Sequence, residues 1–83
     1  MIGKNDERIS KLLEDILKDR GVPRNIKSSI EESINILNSK DSEEEKIATI
    51  ISILDEASND PNLSPHARTK IWNMVSVLES LKK

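Results

Sequence analysis

The sequence predicts an all-α protein, an antiparallel four-helix bundle in one domain over residues 1–83. Apolar residues recur at helical spacing in four segments, and no segment shows the apolar-polar alternation of a β-strand. Short stretches of turn-forming residues separate the segments, which favours antiparallel neighbours. We expect helices near residues 4–20, 23–39, 42–58 and 64–82.

The first two helices form a predicted hairpin over residues 4–39. Gly21 is placed to end the first helix in the left-handed conformation, and Pro23 suits the first turn of the second. Two apolar stripes are expected to face inward: Ile9, Leu12, Leu13, Ile16 and Leu17 on the first helix, and Ile26, Ile30, Ile34 and Leu37 on the second.

The last two helices form a second predicted hairpin over residues 42–82. Ser42 followed by Glu45 is typical of a capping box, and Ser64 followed by Pro65 is typical of a helix start. The expected inward residues are Ile47, Ile50, Ile51, Leu54 and Ala57 on the third helix, and Ala67, Ile71, Met74, Val75, Leu78 and Leu81 on the fourth.

The two hairpins resemble each other when the chain is shifted by 41 positions. "LLEDILKDRGVPRNIKSSI" then lies over "ILDEASNDPNLSPHARTKI", with apolar residues on apolar residues and Asp19 on Asp60. Periods near about 40 residues occur in HEAT-like helix pairs, but such arrays need three or more units to bury a continuous core. Two units are therefore expected to close on each other as a bundle with superposable hairpins.

The segment "SNDPNLSPHARTKIW" combines two prolines with the only histidine and the only tryptophan. It occupies the position of "DRGVP" in the first hairpin, which indicates a hairpin tip. Asn59 can end a helix in the left-handed conformation, Pro61 moves Asp60 out of helical geometry, and Ser64 restarts the chain. We interpret these residues as turn chemistry and His66 as a surface residue.

Composition argues against most catalytic classes. Cysteine is absent, and two glycines cannot form a phosphate-binding loop. Nucleophilic catalysis would depend on His66 as the one imidazole, and the carboxylates of the predicted helices lie off the stripes that would build a di-iron centre. We predict a non-enzymatic protein with no cofactor, no metal and no evident small-molecule substrate.

The charge balance and hydropathy indicate a cytoplasmic protein. No apolar run is long enough for a signal peptide or for the ~20 residues of a membrane span. A net charge of −2 also argues against unaided binding to a polyanion, so nucleic acid is an unlikely partner unless a local basic patch binds it.

Four apolar residues fall away from the centres of their predicted stripes, which makes them candidates for a protein interface: Trp72, Ile36, Ile53 and Val77. Filling grooves between helices is the alternative. Ile36 and Val77 are equivalent under the 41-residue shift, which would suit one continuous surface on the second and fourth helices. Trp72 is the strongest candidate, since tryptophan is enriched where binding energy concentrates.

A second candidate surface is the end of the bundle where the second and fourth helices begin. Five basic residues are expected to gather there as an anion site: Arg24, Lys27, His66, Arg68 and Lys70. Four acidic residues are expected near the same end, so internal ion pairs are the favoured alternative: Asp19, Asp55, Glu56 and Asp60.

The segments "GVPRNI" and "LDEASNDPNLSPHARTKIWN" resemble those of a small archaeal family known as uncharacterised protein family 0147. The resemblance covers nearly the whole chain and implies a compact four-helix protein with no established activity. The functional hypothesis therefore comes from the residues: a non-catalytic helical interaction module or accessory subunit that binds itself or a protein partner. The alternative is a nucleic-acid or ribonucleoprotein accessory protein that uses the basic end.

Overall fold

The computed structural model describes residues 4–81 as four α-helices joined by short connections. The helices are α1 (Lys4–Leu17), α2 (Arg24–Leu37), α3 (Glu43–Ala57) and α4 (Pro65–Leu81). This confirms the all-α prediction for the described part of the chain. The predicted boundaries lie within three residues of the observed ones, and Lys82, the predicted last helical residue, lies outside the described residues.

The helices pack in a ring in which each contacts two neighbours. α1 lies next to α2 and α4, and α3 lies next to α2 and α4, whereas the described residues of the diagonal pairs have no Cα atoms within 8 Å of each other. The molecule measures 35 × 20 × 17 Å over these residues. This is the arrangement of a four-helix bundle whose two hairpins close on each other.

The core consists of apolar residues spaced three or four apart on each helix, with one residue from each hairpin tip. Its members are Ile9, Leu13, Ile16, Val22, Ile26, Ile30, Leu37, Ile47, Ile50, Leu54, Ala57, Leu63, Ala67, Ile71, Met74 and Leu78. One expected core residue is wrongly assigned. Leu12 is 36% exposed, because it lies at the edge of α1 that borders α4.

Burial repeats along the chain with the 41-residue shift. Eight buried positions in the first hairpin each have a buried counterpart in the second: Ile9 and Ile50, Leu13 and Leu54, Ile16 and Ala57, Val22 and Leu63, Ile26 and Ala67, Ile30 and Ile71, Ser33 and Met74, Leu37 and Leu78. Superposition of the two hairpin backbones stays a prediction.

Side-chain caps start two of the helices as predicted. The Ser42 Oγ accepts a hydrogen bond from the Glu45 amide at 3.3 Å, and the Ser64 Oγ accepts one from the Ala67 amide at 3.1 Å. Pro23 differs from the prediction, since it is the N-cap of α2 rather than its first helical residue. A cap of this kind satisfies an amide that the helix itself leaves without a partner.

The expected left-handed residues are not left-handed. No described residue has a positive φ, so neither Gly21 nor Asn59 ends a helix in that way. α1 ends at Leu17, and Gly21 lies later in the connecting turn, where it meets the other hairpin. A Cβ at Gly21 would lie 2.6 Å from the Ser64 Cβ and closer still to the Ser64 Oγ. Close approach, not backbone conformation, is the reason for glycine at this position.

We predict that Gly21→Ala destabilises the protein by about 1–3 kcal/mol, because the added methyl group forces the two hairpin tips apart. Urea unfolding followed by circular dichroism measures the effect. Asn62→Ala is the matched control, because Asn62 is the equivalent residue of the second hairpin and is exposed. Its effect should stay within about 0.5 kcal/mol of zero. Equal stability of Gly21→Ala and wild type would show that the tips separate at little cost.

Candidate interaction surfaces

The two hairpin tips, residues 18–23 and residues 58–64, meet at one end of the bundle. The Ser64 amide donates a hydrogen bond to the Gly21 carbonyl at 3.0 Å. Each tip is built around an aspartate whose Oδ1 accepts a bond from the amide two residues later: Asp19 from Gly21 at 2.7 Å, and Asp60 from Asn62 at 2.8 Å. The tips therefore share one local hydrogen-bond pattern and contact each other directly.

Asp19 reaches across to the start of α4. Its Oδ2 lies 3.1 Å from the Lys70 Nζ and 3.8 Å from the His66 Nε2, and its side chain is only 10% exposed. The hydrogen bond from the Gly21 amide, followed by the one from Lys70, holds the pKa of Asp19 below its ordinary value of 3.8. The carboxylate is thus fixed in its charged form at the junction of the two hairpins.

Asp60 makes the corresponding contact in the opposite direction, to the start of α2. Its Oδ2 accepts a hydrogen bond from the Asn25 Nδ2 at 2.8 Å. The bonds from Asn25 and then from the Asn62 amide lower the pKa of Asp60. Since Asn25 and His66 are equivalent under the 41-residue shift, each hairpin tip contacts the same position of the other hairpin.

The five predicted basic residues do not form one free cationic patch. The Lys70 Nζ lies 3.1 Å from both Asp15 Oδ2 and Asp19 Oδ2, and these hydrogen bonds raise the pKa of Lys70. The Arg68 Nη2 donates to the Asp60 carbonyl at 3.2 Å. Arg24 and Lys27 form no ion pair with any side chain of residues 7–81.

Internal ion pairs at this end therefore neutralise the charge of Lys70. Among residues 7–81 they do not neutralise the charges of Arg24 and Lys27. Of the acidic residues expected to form these ion pairs, Asp19 does so, together with Asp15, which the sequence did not single out. Asp55 and Glu56 form no ion pair with the described residues.

The four apolar candidates do not form one surface. Trp72 is 57% exposed, on the flank of α4 that turns towards α3 by helical spacing. Ile36 and Val77 pack against the core as groove residues, and Ile53 is half-buried between α2 and α3. The expected continuous surface through Ile36 and Val77 is wrong, because α2 and α4 lie diagonally across the ring, and Val77 borders the α1–α4 edge, opposite the α2–α3 edge.

Two grooves run along those opposite edges. Neither groove was predicted from the sequence. The groove between α1 and α4 has a volume of about 290 Å³ and exposes Leu12 beside Val77. The groove between α2 and α3 has a volume of about 350 Å³ and contains Ile53. Leu12 and Ile53 are equivalent under the 41-residue shift, which was the available signal.

The described part of the chain has neither a candidate membrane span nor a candidate metal site. None of its four helices is long and apolar enough to cross a membrane. The side chains of residues 7–81 also include no group of three or more His, Cys, Asp or Glu arranged to hold a metal ion.

Comparison with known proteins identifies the family. The model of the uncharacterised protein family UPF0147 matches residues 3–81. A UPF0147 protein of Methanothermobacter thermautotrophicus is 46% identical over 84 residues, covering 100% of this chain and 82% of the relative. The UPF0147 protein PF0239 of Pyrococcus furiosus is 39% identical, covering 93% of this chain and 88% of the relative. The chain therefore belongs to UPF0147.

Two crystal structures resemble the fold over most of its length. The protein of unknown function MMP1188 has a TM-score of 0.87 at 37% identity, covering 100% of this chain and 98% of that one. A UPF0147 protein from Thermoplasma acidophilum has a TM-score of 0.87 at 33% identity, covering 94% and 93% respectively. The fold is thus that of the family, and the names of these proteins state no activity.

We predict that the two tip aspartates make stability sensitive to acid. Each has a pKa lowered from 3.8 in the folded state, so each stabilises the fold above that pH and loses its contribution as the pH falls through the lower, folded value. The double variant Asp19→Asn, Asp60→Asn should be less stable than wild type at pH 7 and approach it in strong acid.

Urea unfolding across a pH series measures this difference. Asp55→Asn, which removes the same charge from an exposed position of α3, is the control and should keep the wild-type slope. Parallel stability curves for wild type and the double variant would show that the tip carboxylates contribute nothing in their charged form.

Proposed function

We propose that this member of UPF0147 is a non-catalytic, cytoplasmic helical module that acts through protein contacts, with Trp72 as the anchor of the contact surface. The exposure of Trp72, at 57%, is the observation that carries the proposal. A tryptophan side chain has about 150–250 Å² to bury, more than most other residues. The exposed part of the Trp72 side chain can be buried, with a gain in stability, when a complex forms.

The location of Trp72 supports this role. The core stripe of α4 is Ala67, Ile71, Met74 and Leu78, and Trp72 follows Ile71 by one residue, about 100° around the helix. Arg68 lies one turn before Trp72, and its guanidinium is held by the Asp60 carbonyl. A fixed arginine beside an exposed tryptophan combines two residue types that are enriched at binding hot spots.

The polar residues that other functions would use have structural contacts instead. Ser64 caps α4, His66 lies beside Asp19, and Lys70 bridges two aspartates. These contacts support a scaffold role for the tip region. Because Lys70 is paired with two aspartates, it is not a free cation at the basic end on which the nucleic-acid alternative depends. No specific contact among the described residues favours that alternative.

The size of the chain gives self-association a physical benefit. A small domain without disulfides rarely gains more than about 3–5 kcal/mol from its core alone. Binding to a second copy stabilises the folded state by mass action, so stability rises with protein concentration. A dimer or larger assembly through Trp72 is thus the simplest form of the proposal.

We predict that Trp72→Ala weakens association about 30-fold, which corresponds to the loss of about 2 kcal/mol typical of a hot-spot residue. Sedimentation over a concentration series measures the association, and circular dichroism should show unchanged helicity. Leu12→Ala is the control, since it truncates the other exposed large apolar side chain among the described residues, on a different edge of the ring.

A self-associating wild type with a monomeric Trp72→Ala variant supports the proposal. If wild type stays monomeric at high concentration, a photo-crosslinker at position 72 tests for a different protein partner in native cytosol, with position 69 as the control. Recovery of RNA in place of one protein complex, lost in Arg24→Ala, Arg68→Ala, would favour the nucleic-acid alternative. Recovery of neither would refute both.

A further inference from the structure

The groove between α2 and α3 has an apolar floor and an acidic rim, and is called here the acidic groove. Its volume is about 350 Å³, and Ile26, Ile53 and Ala57 form the apolar part. The charged residues lining it are all acidic: Glu32, Glu56 and Asp60. It therefore combines a low-dielectric floor with three carboxylates.

The equivalent groove, between α1 and α4, shows which group such carboxylates hold. There the Lys70 Nζ lies 3.1 Å from both Asp15 and Asp19. The 41-residue shift places Glu56 at the position of Asp15 and Asp60 at the position of Asp19. The same two acidic positions thus bind an ammonium group in one half of the molecule.

The acidic groove has no cation of its own in that place. The position equivalent to Lys70 is Ser29, whose Oγ donates to the Asn25 carbonyl at 3.3 Å. Glu32 adds a negative charge where the other groove has Asn73. Neither Glu32 nor Glu56 forms an ion pair with the side chains of residues 7–81.

The other groups around the acidic groove leave its charge largely uncompensated. Asn25 and the Asn62 amide donate to the two Asp60 oxygens, and these neutral donors keep the carboxylate ionised by lowering its pKa. The charge of Arg68 also lowers that pKa, and its Nη2 is bonded to the Asp60 carbonyl instead of the carboxylate.

We propose that the acidic groove binds a lysine side chain presented by a partner protein. The four-carbon stem lies on Ile53 and Ile26, and the ammonium takes the place among the carboxylates that Lys70 takes in the other groove. Long basic side chains bury their stems on apolar surface while the charged end stays in a polar setting. This inference rests on the proposed role as a protein-binding module, but it uses a surface that does not include Trp72.

Ser29→Lys tests the proposal by supplying the missing ammonium from within the chain. The probe is tetralysine amide, titrated into isotopically labelled protein and followed by NMR. In wild type, amide shifts should concentrate in residues 25–32 and 53–60. In Ser29→Lys the dissociation constant should rise at least about 10-fold, the change expected when about 1.4 kcal/mol of interaction is lost.

Ala48→Lys is the matched control, because it adds the same charge at an exposed position of α3 that lies about two helical turns from Glu56, the nearest acidic residue of α3 in the groove. It should bind tetralysine within about 2-fold of wild type, within the scatter of surface substitutions. A tetralysine probe acetylated at each Nζ should not bind. Equal weakening in both variants, equal binding of the acetylated probe, or shifts centred on residues 43–45 would each overturn the proposal in favour of general charge attraction.

Two further results separate this proposal from others. Tighter binding of spermidine than of tetralysine would overturn it in favour of a free polyamine. Trp72→Ala should bind tetralysine as wild type does. The predicted loss of self-association in Trp72→Ala and the predicted loss of lysine binding in Ser29→Lys can therefore be contradicted separately. Absence of any tetralysine binding by wild type would refute the acidic groove as a lysine site while leaving the Trp72 surface untouched.

Discussion

The contact between the two hairpin tips is the constraint on which the arrangement of the bundle depends. The Ser64 amide bonds the Gly21 carbonyl, and no Cβ fits at Gly21 without displacing Ser64. With the tips in contact, the starts of α2 and α4 lie at the same end, and each tip aspartate reaches the helix of the other hairpin. The hairpins are thereby joined by polar contacts at their ends as well as by the shared apolar core.

Local features of this fold could be predicted from the sequence, and contacts between the hairpins could not. Helical periodicity and the serine caps place the helices to within a few residues, because these signals depend on neighbours within one or two turns. The left-handed residues were wrongly predicted for a related reason. Glycine permits both a left-handed backbone and the close approach of another segment of the chain. Only the position of Ser64, 43 residues later, shows that close approach is the reason for glycine at position 21.

The candidate surfaces show the same division. Periodicity identified Trp72 as lying off the core stripe, and its exposure agrees with that position. It also grouped Ile36 with Val77, because a helical repeat gives equivalent residues the same local setting. Closure of the ring then places α2 and α4 diagonally apart, and this step depends on how the hairpins pack. The grooves follow from packing for the same reason.

The two hairpins agree in which positions are buried and differ in the residues at their exposed positions. Trp72 stands where the first hairpin has Glu31, and Glu32 stands where the second has Asn73, with all four residues exposed. The same positions are buried in both hairpins because both contribute to one close-packed core, where a change in side-chain volume costs stability. Exposed positions carry no such demand, so departures from the repeat mark residues whose identity the fold does not require.

These departures lie on two sides of α3. Trp72 is on the flank of α4 that faces α3, and the acidic groove lies between α3 and α2. The outward face of α3, with Ala48, Ser52 and Asp55 exposed, separates them. The two proposed surfaces share no residue, although the hydrogen bond from Arg68 to the Asp60 carbonyl links their edges. The two proposed contacts therefore do not compete for the same side chains.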